Sequence, residues 1–324
     1  MLYPLSFQPI FKERVWGGRN LESLYAKPLP PGRVIGESWE VSDRPGDVSV
    51  VADGPLAGKD LRWLMENRGV ELLGREAKPG ERFPLLIKLL DAQQALSLQV
   101  HPPQSRAAAL NAEPKTEMWF IAQAKPEAEL YVGLKRGVSR ADFEKHLRAG
   151  TVAGCFHRIS VKEGDTMFLP SGRVHALGAG LVLFEIQQNS DTTYRVFDWN
   201  RLGLDGKPRD LHVAESLECI NFEDHEPSLV DPVAETRDSA RSLALVRDRL
   251  FNVDLLDFAE GSSVKYPVGK LRILGVVHGE LRARGGGIEL RAAAGSFCVL
   301  PASLDAEVEI GPATKVLVTE LGDA

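Results

Sequence analysis

Apolar positions along this chain recur mostly in short runs, several alternating with polar residues, and punctuated by Gly and Pro. Val34–Ser42, Phe83–Leu90, Leu96–Val100, Met118–Ile121, Leu130–Val132, Thr166–Leu169, Leu181–Gln187 and Thr193–Trp199 each predict a strand, being short and rich in β-branched, aromatic or other apolar residues. Turn chemistry separates them, as at Gly178-Ala-Gly180 and Asn200-Arg-Leu-Gly203. Helical periodicity is confined to Lys59–Asn67, Ser139–Arg148 and Asp210–Ile220. The second carries Ser139 as an N-cap, Asp142 three residues on and Gly150 at its end, and the third is opened by Asp210. His225–Ala240 holds two prolines, several charges and no steady apolar period, which reads as a connection. The strand pattern then resumes at Leu243–Val246, Leu250–Phe258, Leu271–Val277, Ile288–Arg291, Phe297–Leu300, Ala306–Ile310 and Thr314–Val318. Many short strands with few helices predict a mainly β protein, an antiparallel sandwich or barrel.

A weak internal repeat divides the pattern further. Gly164, five residues, then Pro170 is matched by Gly295, five residues, then Pro301. The first copy continues to Gly172 and His175, the second to Ala302, Ser303 and Leu304. The expected organisation is therefore one β unit over 1–224 with short helical segments, a connection over 225–240, and a degenerate β unit over 241–324.

Composition narrows the function without choosing it. The chain has 324 residues and a formal net charge of −6. That balance, with no long basic run, argues against nucleic acid as a partner. No apolar stretch approaches the length of a membrane span, and Met1–Trp16 lacks the apolar core of a signal peptide. Cys155, Cys219 and Cys298 are widely spaced and form no CxxC pair, which fits a reducing cytoplasm.

Candidate chemistry lies in three segments. In Ser97-Leu-Gln-Val-His101, the two-residue period puts Ser97, Gln99 and His101 on one face, and Pro102-Pro103 ends the strand. Lys115 and Glu117 share a face in the same way. A solvent-facing strand would explain each pattern without chemistry. A polar face turned into a barrel would instead need pairing, hydration or a metal. The third segment is Gly164-Asp-Thr-Met-Phe-Leu-Pro-Ser-Gly-Arg-Val-His175, where a glycine turn, a strand and a Pro-x-Gly turn can aim His175 back inward. His278-Gly-Glu280 looks like a ligand pair but has no companion histidine at ligand spacing. His146, His157, His212 and His225 also lack partners and read as structural or surface residues.

The Gly164–His175 spacing is similar to the second metal motif of the cupin superfamily, with Gly178 where an asparagine often ends it. The surrounding words go further. Phe83-Pro-Leu-Leu-Ile-Lys-Leu-Leu-Asp91, Leu96-Ser-Leu-Gln-Val-His-Pro102, Lys115-Thr-Glu-Met-Trp119, Leu169-Pro-Ser-Gly-Arg-Val-His-Ala-Leu177 and Ser190-Asp-Thr-Thr-Tyr-Arg-Val-Phe-Asp-Trp199 occur in that order. Together with Trp16-Gly17-Gly18 and Gly36-Glu-Ser-Trp39, this set resembles the type I mannose-6-phosphate isomerases, closest to the short bacterial form. The resemblance covers about residues 1–220; beyond that only the strand pattern agrees.

The resemblance implies two cupin (jelly-roll) barrels with a small helical insertion. It implies one divalent cation per chain, usually zinc, on Gln99, His101, Glu117 and His175. It further implies interconversion of mannose 6-phosphate and fructose 6-phosphate through a cis-enediol. Arg195 and Lys115 match the family's active-site arginine and lysine, with Thr116 where a proline is common. Asp191 is the weaker candidate, for ring opening. Ser97 and Lys88 match positions kept near the family's site, and Trp16 joins them as a candidate for stacking on sugar.

Each assignment has a plainer counterpart. Lys115 reads also as a solvated strand lysine, Arg195 as the ion-pair partner of Asp191 or Asp198, Lys88 as an outward-facing lysine, and Trp16 and Trp39 as core or rim aromatics. The expected partner is a small-molecule hexose phosphate, with no nucleic acid or membrane, in a monomer or weak homo-oligomer. The alternatives are a non-catalytic sugar-binding cupin, a different cupin sugar-phosphate isomerase, or a metal dioxygenase. The last would usually present more histidines.

Overall fold

Along Glu117–Ala124 the side chains of Trp119 and Ile121 enter one hydrophobic core, while Met118 and Phe120 enter another. Leu181–Gln188 behaves alike, with Leu181 and Leu183 on one side and Val182, Phe184 and Ile186 on the other. A strand sends alternate side chains to opposite faces. These strands therefore belong to a sheet buried on both sides, which is why they read as almost unbroken apolar runs.

The computed structural model describes residues 1–237, 240–259 and 261–322. Its strands, in chain order, begin with β1 (Ile10–Gly18), β2 (Ile35–Val41), β3 (Asp43–Arg44), β4 (Asp47–Val48), β5 (Leu85–Ala92), β6 (Leu98–Val100), β7 (Glu117–Ala124) and β8 (Glu129–Leu134). They continue with β9 (Phe156–Ser160), β10 (Thr166–Leu169), β11 (His175–Leu177), β12 (Leu181–Gln188) and β13 (Tyr194–Phe197). The C-terminal part adds β14 (Val233–Arg237), β15 (Ala240–Arg247), β16 (Phe251–Phe258), β17 (Ser263–Tyr266), β18 (Arg272–His278), β19 (Glu280–Gly285), β20 (Ile288–Ala293), β21 (Phe297–Leu300), β22 (Ala306–Ile310) and β23 (Lys315–Leu321). The helices are α1 (Asn20–Tyr25), α2 (Leu61–Leu73), α3 (Gln104–Ala107), α4 (Arg140–Arg148) and α5 (Val213–Cys219).

Sheet order is β1-β2-β5-β12-β7-β10 in a six-stranded sheet and β13-β6-β11-β8-β9 in the five-stranded sheet that faces it. A second six-stranded sheet, β14-β15-β16-β23-β18-β21, is accompanied by the four-stranded β17-β22-β19-β20. All pairings among these strands are antiparallel. The mainly β, cupin-like expectation holds.

Three cores alternate with the sheets. One, with Trp16, Trp119, Leu130 and Leu183, lies between the five-stranded and the first six-stranded sheet. A second, with Phe120, Phe184, Phe251 and Val299, lies between the two six-stranded sheets and also takes in Leu2, Leu5 and the apolar side of α2. A third, with Leu274, Val276 and Val308, fills the C-terminal pair. Phe184 joins the halves most directly, its ring lying 6.0 Å from Tyr25, 6.4 Å from Phe120 and 5.6 Å from Phe297. α4 and α5 cover the outer face of the five-stranded sheet through Phe143 and Cys219. With Leu98, Val100, Ala176 and Val196 turned to that outer side, Gln99, His175 and Arg195 face inward.

The internal repeat has a structural meaning. β10 and β21 are each the edge strand of a six-stranded sheet, and each follows a glycine in the left-handed region, Gly164 at φ 87° and Gly295 at φ 78°. From Pro170 the chain passes into the five-stranded sheet through Gly172, whose φ of 92° needs a residue without Cβ. From Pro301 it passes into the four-stranded sheet without a histidine.

Several sequence expectations are corrected. Val233–Arg237, inside the segment read as a connection, is a strand that pairs with β15. It is the edge strand of its sheet, where an apolar period is not required; Asp238 and Ser239 of that segment lie outside the described residues. α5 starts at Val213 rather than Asp210, after His212, which makes no side-chain capping bond. α2 runs past Asn67 to Leu73, through non-helical angles at Arg68, and Gly74 ends it in the left-handed conformation. α4 keeps its expected capping box, Ser139 with Asp142. His278 is exposed and 3.2 Å from Glu163. No helix among the described residues is long and apolar enough to cross a membrane.

Candidate metal centre and cavity

Register places the candidate ligands before any side chain is considered. Gln99 on β6 is paired with Arg195 on β13 at one side and with His175 on β11 at the other. These three inward-facing residues form one row across the five-stranded sheet. His101 follows β6 directly, and Glu117 opens β7 on the opposing sheet, paired with Leu169 and Gln187. The donors thus converge from two facing sheets.

The convergence is tight. One ligand atom from each of His101, Glu117 and His175 lies within 4.8 Å of the others, and all three side chains are buried. His101 Nε2 is 3.5 Å from Glu117 Oε2, and His175 Nε2 is 3.4 Å from Glu117 Oε1. Gln99 Nε2 is 3.2 Å from His175 Nε2. The outer ring nitrogens are fixed by carbonyls: His101 Nδ1 donates to Thr192 O at 2.9 Å, and His175 Nδ1 donates to Arg173 O at 2.9 Å. With those protons assigned to Nδ1, both Nε2 lone pairs face the centre, the arrangement typical of metal-binding imidazoles.

Electrostatics agree with the geometry. Burial, reinforced by the Lys115 charge, lowers the His101 pKa to about 4. Burial also lowers that of His175. Burial alone would raise the Glu117 carboxyl, but Lys115, His101 and His175 outweigh it and hold it well below the usual range. The site therefore offers neutral imidazoles and an ionised carboxylate, the states a metal requires. Lys115 Nζ stands 2.6 Å from Glu117 Oε2, yet neither Glu117 oxygen has a hydrogen bond of acceptable geometry. A fully buried carboxylate with both oxygens so placed is costly unless a cation completes it. The residues fit a divalent metal.

In front of this cluster opens a cavity of about 500 Å³. Gln99 and Lys115 line it, together with Ser97, Lys88, Trp16, Asp191 and Arg195. All seven sequence candidates outside the buried His–Glu–His cluster therefore share one space. Lys88 faces inward. Its Nζ is 2.9 Å from Glu185 and 4.0 Å from Glu37, and it lies 5.2 Å from the Trp39 ring centroid. Burial would lower its pKa, but Glu185 and Glu37 outweigh that and raise it. Asp198 is engaged by Arg201 and Arg209, not by Arg195. The Arg195 guanidinium forms no ion pair among the described residues, and burial followed by the Arg209 charge lowers its pKa. Trp16 is both core and wall, 3% exposed. The other histidines stay apart: His146 meets Thr151, His212 accepts from the Arg195 backbone N–H, and His225 meets Val138 O.

Sequence reasoning missed Arg14, Glu37, Glu185 and Arg209, all of which line the cavity. Glu185 carried a usable signal, as the one charge within an apolar strand. Arg14 and Glu37 carried a weaker one, each two residues before a tryptophan on a strand. Arg209 had none, lying in a segment without period.

A histidine–carboxylate–histidine centre between facing sheets of a cupin-like fold defines a divalent-metal site opening on a polar cavity. Known proteins narrow the class. Residues 5–133 match the family model described as phosphomannose isomerase type I, catalytic domain. The chain is 36% identical over 305 residues to the probable mannose-6-phosphate isomerase GmuF of Bacillus subtilis (strain 168), covering 93% of this chain and 94% of that protein. It is 35% identical to the mannose-6-phosphate isomerase ManA of the same organism, with 93% and 94% covered. The crystal structure of the mannose 6-phosphate isomerase from Bacillus subtilis superposes with a TM-score of 0.89 at 32% identity, covering 98% of this chain and 99% of that one. The chain belongs to the type I phosphomannose isomerase family.

Proposed function

We propose that this protein interconverts mannose 6-phosphate and fructose 6-phosphate, with zinc as the resident cation on Gln99, His101, Glu117 and His175. The observation that carries the reading is the shared cavity: a metal donor (Gln99), an amine (Lys115) and an unpaired guanidinium (Arg195) line one space of about 500 Å³. That volume is ordinary for a small-molecule site. The mixed nitrogen and oxygen donor set suits zinc. When bound, the metal supplies Lewis-acid polarisation of the sugar oxygens.

The chain's own residues divide the remaining work. After ring opening, for which Asp191 lines the cavity wall, the free-amine form of Lys115, its ammonium proton first released to solvent, removes the proton from C2 of mannose 6-phosphate. The C1 carbonyl oxygen takes up a proton, giving the cis-enediol. Return of a proton to C1, with loss of the O2 proton, yields the ketose, so atoms and charge balance. Arg195 offers a fixed cationic fork to the developing oxyanion. Ser97 and Lys88 supply polar contacts, and Trp16, Leu90 and Leu96 supply the apolar wall. A non-catalytic sugar-binding role would leave Lys115 and Arg195 facing elsewhere, and both line the cavity.

The buried free thiols of Cys155, Cys219 and Cys298 support a cytoplasmic setting, and we read the protein as a monomer or weak homo-oligomer. The test is a coupled assay of fructose 6-phosphate formation from mannose 6-phosphate, with and without a chelator. Absence of chelator-sensitive product from the metal-loaded protein would overturn the reading.

A further inference from the structure

Between β13 and α5 the chain makes an excursion that the catalytic reading leaves unused. Leu202 bridges to Pro208 and Gly203 N–H donates to Lys207 O at 2.7 Å, which closes a small hairpin. Gly203, Leu204 and Asp205 of this hairpin, and Arg209 just after it, line the cavity. Leu204 is 59% exposed, and Leu202 beside it is 55% exposed.

Both feet of the hairpin are tied to one carboxylate. Asp198, 4% exposed, accepts from Arg201 Nε and Nη2 at 3.0 and 2.8 Å, and from Arg209 Nε and Nη2 at 2.7 and 2.6 Å. The two arginines differ in what remains. Arg201 Nη1 is spent on Ala95 O at 2.5 Å, and Arg201 does not line the cavity. Arg209 Nη1 has no hydrogen-bond partner among the described residues, and Arg209 does line it. The unpaired Arg195 lies close enough for the Arg209 charge to lower its pKa. Asp198, already holding two arginines, and Asp191 offset that effect only in part. Ser97 and Thr193 add hydroxyls to the same lining, while Asp205 has one oxygen taken by the Lys207 backbone N–H at 3.0 Å. Two arginines facing one space, with the intervening carboxylate saturated, make a site that a doubly charged oxyanion would complete.

We propose that Arg209, held in place by Asp198 and presented by the Leu202–Pro208 hairpin, is a specificity residue that binds the phosphate group of the substrate through its free Nη1. The proposal rests on the sugar-phosphate reading of the cavity. Arg209 acts on the non-reacting end of the substrate, so its contact favours phosphorylated over unphosphorylated hexose without taking part in proton transfer.

The experiment uses inorganic phosphate as probe and reads thermal protection of the full chain, which needs no turnover. Wild type, Arg209→Gln, Arg209→Lys and Arg201→Gln are titrated with phosphate at constant ionic strength. The expected result is saturable protection of wild type, a rise of about tenfold in the half-saturating concentration for Arg209→Gln, as befits loss of a charge-assisted contact, and a smaller rise for Arg209→Lys. Arg201→Gln, which breaks the same tie to Asp198, should lower the melting temperature but leave the half-saturating concentration within about twofold. In steady state, Arg209→Gln should raise KM for mannose 6-phosphate with little change in kcat. Unsaturable or absent protection of wild type, a wild-type phosphate response in Arg209→Gln, or an equal loss in Arg201→Gln would each overturn the proposal. If Arg209→Gln fails to fold, Arg209→Lys against Arg201→Gln decides it. Saturable protection without isomerase activity would sink the isomerase reading and leave the anion site standing.

Discussion

Gln99 and His175 face each other across β6 and β11, paired in register and joined by a 3.2 Å contact between Gln99 Nε2 and His175 Nε2. Since His175 Nδ1 donates to Arg173 O, its Nε2 carries the lone pair, and the glutamine amide is the group that accommodates it. Rotation of that amide by half a turn presents Oε1 to the same centre. Gln99 can therefore satisfy His175 before a cation arrives and ligate one afterwards.

His175→Ala should lose stoichiometric metal, measured by elemental analysis after desalting, and should lose isomerase activity with it. Gln99→Ala, which leaves His101, Glu117 and His175 in place, should bind metal more weakly but still measurably. One equivalent of tightly held metal in His175→Ala would remove that residue from the site.

Removing the metal should also be visible without any assay. Glu117 is fully buried and both its oxygens lack well-formed hydrogen bonds, so the folded state gains when a cation completes them. A ligand at a thousandfold excess over its dissociation constant adds about 4 kcal/mol of stability. Chelation is expected to lower the melting temperature by several degrees, and zinc to restore it. A melting curve indifferent to chelator would argue that the cluster holds no metal.

Lys115→Ala separates chemistry from assembly. A positioned acid–base group contributes about 10²–10⁴-fold, so turnover should fall within that range. Metal content should stay near wild type, because Lys115 is beside the ligands and is not one of them. Wild-type turnover would remove it from proton transfer.

The charged row along the cavity wall predicts an acid-sensitive contribution to stability. Burial would raise the Glu37 carboxyl, but Lys88 and Arg14 outweigh it and lower its pKa from 4.5 to about 2. A carboxylate depressed in the folded state stabilises it above the unfolded pKa, and this contribution is lost as pH falls through the window from 4.5 down to about 2. The shift corresponds to a contribution on the order of 3 kcal/mol. Denaturant unfolding of wild type and Glu37→Gln across that window should show a shallower pH dependence in the variant. Parallel curves would mean that Glu37 titrates alike in both states.

Phe184→Ala tests how the halves hold together. Its ring contacts Tyr25, Phe120 and Phe297, the last from the C-terminal six-stranded sheet, and the side chain is fully buried. Truncating such a core aromatic costs about 3–5 kcal/mol. A loss below 1 kcal/mol in denaturant unfolding would show that the interface between the six-stranded sheets contributes little.

The alternation of side chains made much of this protein legible in its sequence. A two-residue period is a local property, so it placed Ser97 with Gln99 and His101, and Lys115 with Glu117. The turn glycines and Ser139 also act within a few residues, which is why the cap of α4 and the aim of His175 could be read directly. Local pattern misjudged Val233–Arg237, because an edge strand with a solvated face shows no apolar run, and it began α5 three residues early at Asp210.

What lay beyond the sequence is what depends on distant segments meeting. Period alone could not say whether Lys88 faced solvent or cavity. The pairing of β5 with β12 decided it by setting Glu185 against Lys88. Nor could it say whether Arg195 was bound by Asp198, a question settled when Arg201 and Arg209 filled that carboxylate. The sequence by itself determined the β architecture and which polar residues share a strand face, because both follow from residue type and short-range spacing. Only the tertiary structure decided which charges are paired and which are left facing the cavity, because that depends on which strands and loops compete for the same buried oxygens.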